Sequence, residues 1–183
     1  MVFGIIQKNH IDDIIYGGTD GIITTFAIVA GSFGSKQNLS VAFILGLANL
    51  FADGVSMGIS SYQSIIHTNY KMEAFLTGLI TFISFVSFGI IPLLVFIYIF
   101  YVNHKTYATI NSTHFLITIG LSLCSLTIVG FIKGYYKVNN SNNLDTNKKL
   151  IIFKTILQML LLGCLAGGIA FYVGYILQKK IEN

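Results

Sequence analysis

The chain has 183 residues, of which 54% are hydrophobic and only 10% charged, with a mean hydropathy of +0.76. An ordinary soluble domain is about 25% charged, so this composition excludes one and points to a membrane protein. The net charge of +4 rests on eleven lysines and no arginine; they gather at segment ends, as head-group anchors do, which argues against a nucleic-acid partner.

The opening "MVFGIIQKNHIDD" lacks the basic start, long apolar centre and small-residue cleavage site of a secretory signal. A first transmembrane helix is predicted over about 14–33 and a second over about 40–62, joined by the turn "GSFGSKQNLS". The connection "SIIHTNYKMEA" leads to a third over about 75–101, whose Pro92, the only proline, predicts a kink. After the polar "VNHKTYATINSTH" comes a fourth over about 115–132. The longest connection, "KGYYKVNNSNNLDTNKK", reads as a mobile, exposed loop before a fifth helix over about 155–177.

The runs 74–104, 106–132 and 155–178 contain no Asp, Glu, Lys or Arg, and each exceeds the roughly 20 apolar residues that a helix needs to cross the bilayer core. "TFISFVSFGIIPLLVFIYIF" does not alternate apolar with polar residues, as a barrel strand would. The expected fold is therefore an all-α integral membrane protein: one domain, 1–183, with five transmembrane helices. With the N-terminus in the cytosol, seven lysines (8, 71, 133, 137, 148, 149 and 154) fall inside and four (36, 105, 179 and 180) outside. That balance favours N-in, C-out, while the sequence names no particular membrane. Cys124 and Cys164, inside apolar segments, read as small core residues.

Intramembrane acids are costly, and they mark ion or proton pathways by default. Asp13 and Asp20 lie two helical turns apart and share a face; Asn49, Asp53 and Met57 follow one another at spacings of four and share another, with Ser56 and Ser60 beside it. At 1.5 Å per residue, Asp20 lies roughly 9 Å and Asp53 roughly 15 Å from the inner side, so the two can approach, with Asp13 near the mouth. Carboxylate and amide oxygens with a thioether suit a first-row transition ion such as Fe²⁺ or Mn²⁺ better than Mg²⁺ or Ca²⁺. Asp13, Asp20 and Asp53 together carry more negative charge than a divalent ion balances. Neighbouring carboxylates repel, so the empty site is expected to hold protons that the metal displaces, and these three acids are the candidates for proton coupling.

Gly17, Gly18 and Gly21 surround Asp20, and Gly54 and Gly58 flank Met57. Small residues at such spacing let transmembrane helices approach closely, here bringing the two acidic stripes together; Gly163 and Gly167 read the same way for the fifth helix. His10, His67 and Glu73 are weaker candidates at the entrance. No Cys/His metal spacing, nucleophile triad or phosphate-binding glycine loop occurs, so the residues do not argue for an enzyme or a permanently bound cofactor. A passive cation channel and a non-transporting assembly or interaction subunit remain alternatives to an exchanger.

"DDIIYGGTDGIITTFAIVAG" and "LANLFADGVSMGISSYQS" resemble the first two helix signatures of the vacuolar iron transporter family, and "TFISFVSFGIIPLLVF" its third helix. The resemblance implies proton-coupled Fe²⁺/Mn²⁺ transport by a homodimer, with the ion path between the first helices of its two subunits. It places Asp20 and Met57 as central ion-binding residues, Asn49 and Asp53 along the path, and Asp13 at the inner entrance. Asp12 stands where many members have arginine, and some members have an acid at the Asn49 position. "SIIHTNYKMEA" is too short for the helical, glutamate-rich metal-binding domain that larger members carry there.

Overall fold

A computed structural model describes residues 10–67, 71–103, 110–140 and 147–182. Among them there are six α-helices and no β-strand: α1 (Ile11–Gly34), α2 (Leu39–Ile66), α3 (Lys71–Gly89), α4 (Leu94–Asn103), α5 (Ser112–Asn140) and α6 (Lys148–Glu182). They make five lengths able to cross a membrane, because α3 and α4 form one span.

That span breaks where the sequence predicts a kink. Pro92 has no N–H to give and its ring opposes the carbonyl of the preceding turn, so the α-helix stops at Gly89. A 3-10 turn, Ile91–Leu93, carries the chain into α4. Pro92 and Leu93 are buried there, against a core cluster that includes Leu50, Phe85 and Phe96.

Helix α1 is the axis of the bundle and packs mainly against α3 and α6, with α5 alongside; α2 packs mainly on α3. The glycines act differently from the sequence expectation. A methyl group on Gly17 would stand 2.5 Å from the Thr81 carbonyl oxygen, and one on Gly21 would run into the Phe85 carbonyl. Gly58 faces the backbone of Gly78, and Gly54 the rings of Phe82 and Phe85; Gly18 lies under the Phe88 ring. The glycines thus draw α1 and α2 onto α3 rather than onto each other, because α3 is the helix that both share. On α6, Gly163 and Gly167 make room for Leu126 and Phe26.

At the far end from residue 10, α1 closes with Lys36 in the left-handed region (φ 52°), and Gln37 N–H donates to the Ser32 carbonyl. Lys36 reaches Glu182 at 3.7 Å, tying the α1–α2 turn to the end of α6, while Phe33 stacks on Phe115 with centroids 4.2 Å apart. Five spans, with Glu182 beside Lys36, put residues 10 and 182 at opposite ends of the bundle.

Two expectations are corrected. Cys124 and Cys164 are exposed rather than buried in the core, Cys164 bordering an open groove between α1, α5 and α6. Helices α5 and α6 also run beyond their apolar stretches, to Asn140 and from Lys148, because Lys, Asn and Tyr continue a helix outside the hydrocarbon. Much of the expected loop is therefore helical; its remainder, 141–146, and residues 104–109 lie outside the described residues.

Candidate functional site

Helix α1 presents Gly17, Gly18 and Gly21 to α3 and its apolar residues Ile15 and Ile22 to Leu126 and Val129 of α5. The remaining face carries Asp13, Asp20 and Thr24, all partly exposed in a single chain. Thr24 Oγ1 donates to the Asp20 carbonyl oxygen at 2.8 Å, a backbone bond that leaves the carboxylate free to face outward from the helix. Asp53 on α2 is near enough for the two carboxylates to act on one another electrostatically. Asn49 Nδ2 donates to Asp53 Oδ2 at 2.6 Å, one turn away on the same helix. The stripe on α2 thus holds a hydrogen-bonded pair, on a helix that packs alongside α1 but is held mainly by α3.

Met57 is half-buried, and its side chain packs against the core cluster around Leu50 and Phe85. Asp13 lies at the mouth, where His10 Nδ1 is 3.0 Å from its Oδ2. His67, exposed, caps α2, and Glu73 sits in the first turn of α3. Both are at the same end of the bundle as His10. Among the described residues, no three His, Cys, Asp or Glu side chains converge closely enough in one chain to hold a metal ion. The structure joins Asn49 and Asp53 directly on α2, beside α1, which carries Asp20; Asp13 stands two turns below Asp20.

A cavity of about 560 Å³ opens beside Asp20 on the side of α5 and α6. Asp12, Tyr16, Thr19 and Asp20 line it from α1, Lys133 from α5 and Gln158 from α6. Thr19 Oγ1 is buried and has no hydrogen-bond partner among the described residues. Sequence reasoning misses this chamber. It places Lys133 just beyond the end of its helix, as an interfacial anchor, whereas α5 continues about two turns further. The available signal was Lys133's position directly after a charge-free run and before further helix-compatible residues.

Fold and site together define a multi-pass helical membrane protein with acidic residues placed within its spans. The chain belongs to the VIT family, whose sequence model matches residues 11–74 and 65–175. It is similar to the Vacuolar iron transporter of Plasmodium falciparum (isolate 3D7), at 27% identity over 97% of this chain and 86% of the relative. It is also similar to that of Plasmodium berghei (strain Anka), at 27% identity over 96% of this chain and 85% of the relative. The Vacuolar iron transporter of Toxoplasma gondii (strain ATCC 50861 / VEG) is 40% identical over 37% of this chain and 22% of its own length.

The alignment with the P. falciparum protein runs over 249 positions, more than the 183 residues of this chain, so that relative carries residues with no counterpart here. The two stretches matched to the family overlap at residues 65–74, which take in the end of α2, the short connection and the start of α3.

Proposed function

We propose that this chain is a secondary transporter that moves Fe²⁺ or Mn²⁺ out of the cytosol in exchange for protons, working as a homodimer. The observation that carries the reading is the placement of acids within packed spans, Asp20 on α1 and the hydrogen-bonded Asn49–Asp53 pair on α2, with no cation in contact with either carboxylate among the described residues. Charges in such a position cost several kcal/mol unless matched, so each carboxylate is held for an ion or a proton. The names of the relatives support iron as the cargo.

In the cycle, Asp13 receives the ion at the inner mouth, and Asp20 and Asp53 bind it, with Asn49 holding Asp53 by its amide. Met57 supplies a soft donor that distinguishes Fe²⁺ and Mn²⁺ from Mg²⁺. Protons arriving from the opposite side reload the carboxylates and release the metal. The N-terminus is cytosolic and the C-terminus lies across the membrane. The short α2–α3 connection means that metal reaches Asp13 without capture by an intervening cytosolic domain.

A second copy completes the site. Ala48, Ala52, Ser56, Ser60 and Ser64 form a stripe of small residues at spacings of four along α2, every one exposed in the single chain and adjacent to Asn49, Asp53 and Met57. Such a stripe suits close helix packing, and covering it would also shield the half-open acids from lipid.

The test is Fe²⁺ and Mn²⁺ uptake into liposomes holding the purified protein, with and without a pH gradient, beside Asp20→Asn. Gradient-driven uptake that Asp20→Asn abolishes, with the fold intact, is the expected result. Flux indifferent to the gradient identifies a passive channel, and no flux in either protein identifies a non-transporting subunit.

A further inference from the structure

Lys133 differs from every other described lysine. Lys36, Lys71, Lys137, Lys148, Lys149, Lys154, Lys179 and Lys180 are all exposed, whereas Lys133 is partly buried and borders the chamber that Asp12 and Asp20 also line. Among the described residues it makes no ion pair. A charge withdrawn from water is costly unless opposite charge is near. Here the opposite charge is across an open volume of about 560 Å³, reachable by movement of the side chain and not already engaged.

We propose that Lys133 is a tethered counter-cation for the ion site: its ammonium swings toward Asp12 and Asp20 when the site is empty and retreats to the inner surface when a divalent ion enters. Lysine suits this part, being a compact charge on a flexible four-carbon stem, and its base on α5 lies toward the inner end, where the head can reach water. The unpartnered Thr19 hydroxyl and the Gln158 amide offer polar stations along the way. A resident cation balances whichever of these carboxylates the returning protons leave charged, so the unloaded protein can reset without exposing a bare acid to the low-dielectric interior. The same cation competes with the incoming metal and holds its affinity down. Lys133 is thus a positioning and affinity-setting residue, not a ligand. The inference rests on the transport reading above.

The experiment measures Mn²⁺ binding to the full-length protein by calorimetry in detergent, together with initial uptake rates in liposomes, for wild type, Lys133→Met, Lys133→Arg and Asp20→Asn. Removing a like charge from beside the site should make Lys133→Met bind Mn²⁺ about tenfold tighter, with both KM and kcat lowered as the empty protein resets more slowly. Lys133→Arg keeps the charge and should stay near wild type, which separates loss of charge from loss of fold. Unchanged or weakened Mn²⁺ binding in Lys133→Met, while Asp20→Asn still abolishes binding, overturns the counter-cation and leaves the transport reading standing. Equal Mn²⁺ binding by wild type and Asp20→Asn overturns both.

Discussion

Asn49 donates from Nδ2 to Asp53 Oδ2 at 2.6 Å, one helical turn apart on α2. The bond engages one oxygen of the Asp53 carboxylate and fixes which way the group points. A hydrogen bond of this kind contributes about 0.5–1.5 kcal/mol, more when the acceptor is charged. Asn49→Ala should therefore lower metal uptake about tenfold, the equivalent of about 1.4 kcal/mol, with the thermal stability of the purified protein little changed. Uptake equal to wild type would mean that Asp53 is oriented without its neighbour.

How much of this was legible in the sequence depends on what periodicity can express. The spacing of Asn49, Asp53 and Met57 places them on one face of α2, and the helix bears this out in the Asn49–Asp53 bond. Three charge-free runs and two apolar stretches that each hold a single acid reveal five spans, which the helices reproduce. Periodicity tells which face of a helix is small, but not which neighbour fills it. Gly17, Gly21 and Gly58 consequently meet α3, a partner fixed only by the tertiary arrangement. Helix ends were read from where apolar residues stop, yet hydrogen-bonded helix needs no apolar side chains, so Lys133 came to lie inside α5 and its chamber stayed hidden. Cys124 and Cys164 were misplaced for a related reason: in a membrane an apolar residue is as much at home facing lipid as facing the core.

Close approach of α1 to α3 makes a stability prediction with an internal control. The Phe85 carbonyl stands where a methyl group on Gly21 would go, and backbone cannot rotate out of the way. Gly21→Ala should force the helices apart and cost about 1–3 kcal/mol, the usual range for overpacking. Gly168 has nothing within 4 Å of the corresponding position, so Gly168→Ala should cost nothing. Thermal unfolding in detergent compares them, and equal melting temperatures would show that α1 and α3 can part freely.

Met57 separates packing from chemistry. Its side chain touches the core cluster, and Met→Leu swaps conserve volume closely enough to cost less than about 1.5 kcal/mol. Met57→Leu should therefore fold normally and still transport, but it should lose selection against Mg²⁺ because the thioether is gone. The check is Mn²⁺ uptake measured against a rising excess of Mg²⁺. An unaltered ranking of the two metals would reduce Met57 to a core residue.

The exposed stripe on α2 predicts how the proposed dimer is held. Ala52 belongs to this stripe, one residue from Asp53, and is exposed in the single chain. Helices that meet through small residues gain from contact along their backbones, since lipid offers no hydrophobic drive for association. A large ring at this position would hold the partner away without disturbing the core of its own chain. Ala52→Trp should thus shift the purified protein from dimer to monomer in light scattering, while the helical content of each chain is retained. Uptake should fall with it, because no single chain brings three acidic, histidine or cysteine ligands together among its described residues. A variant that remains dimeric and active would place the stripe against lipid and move the contact between copies to another face.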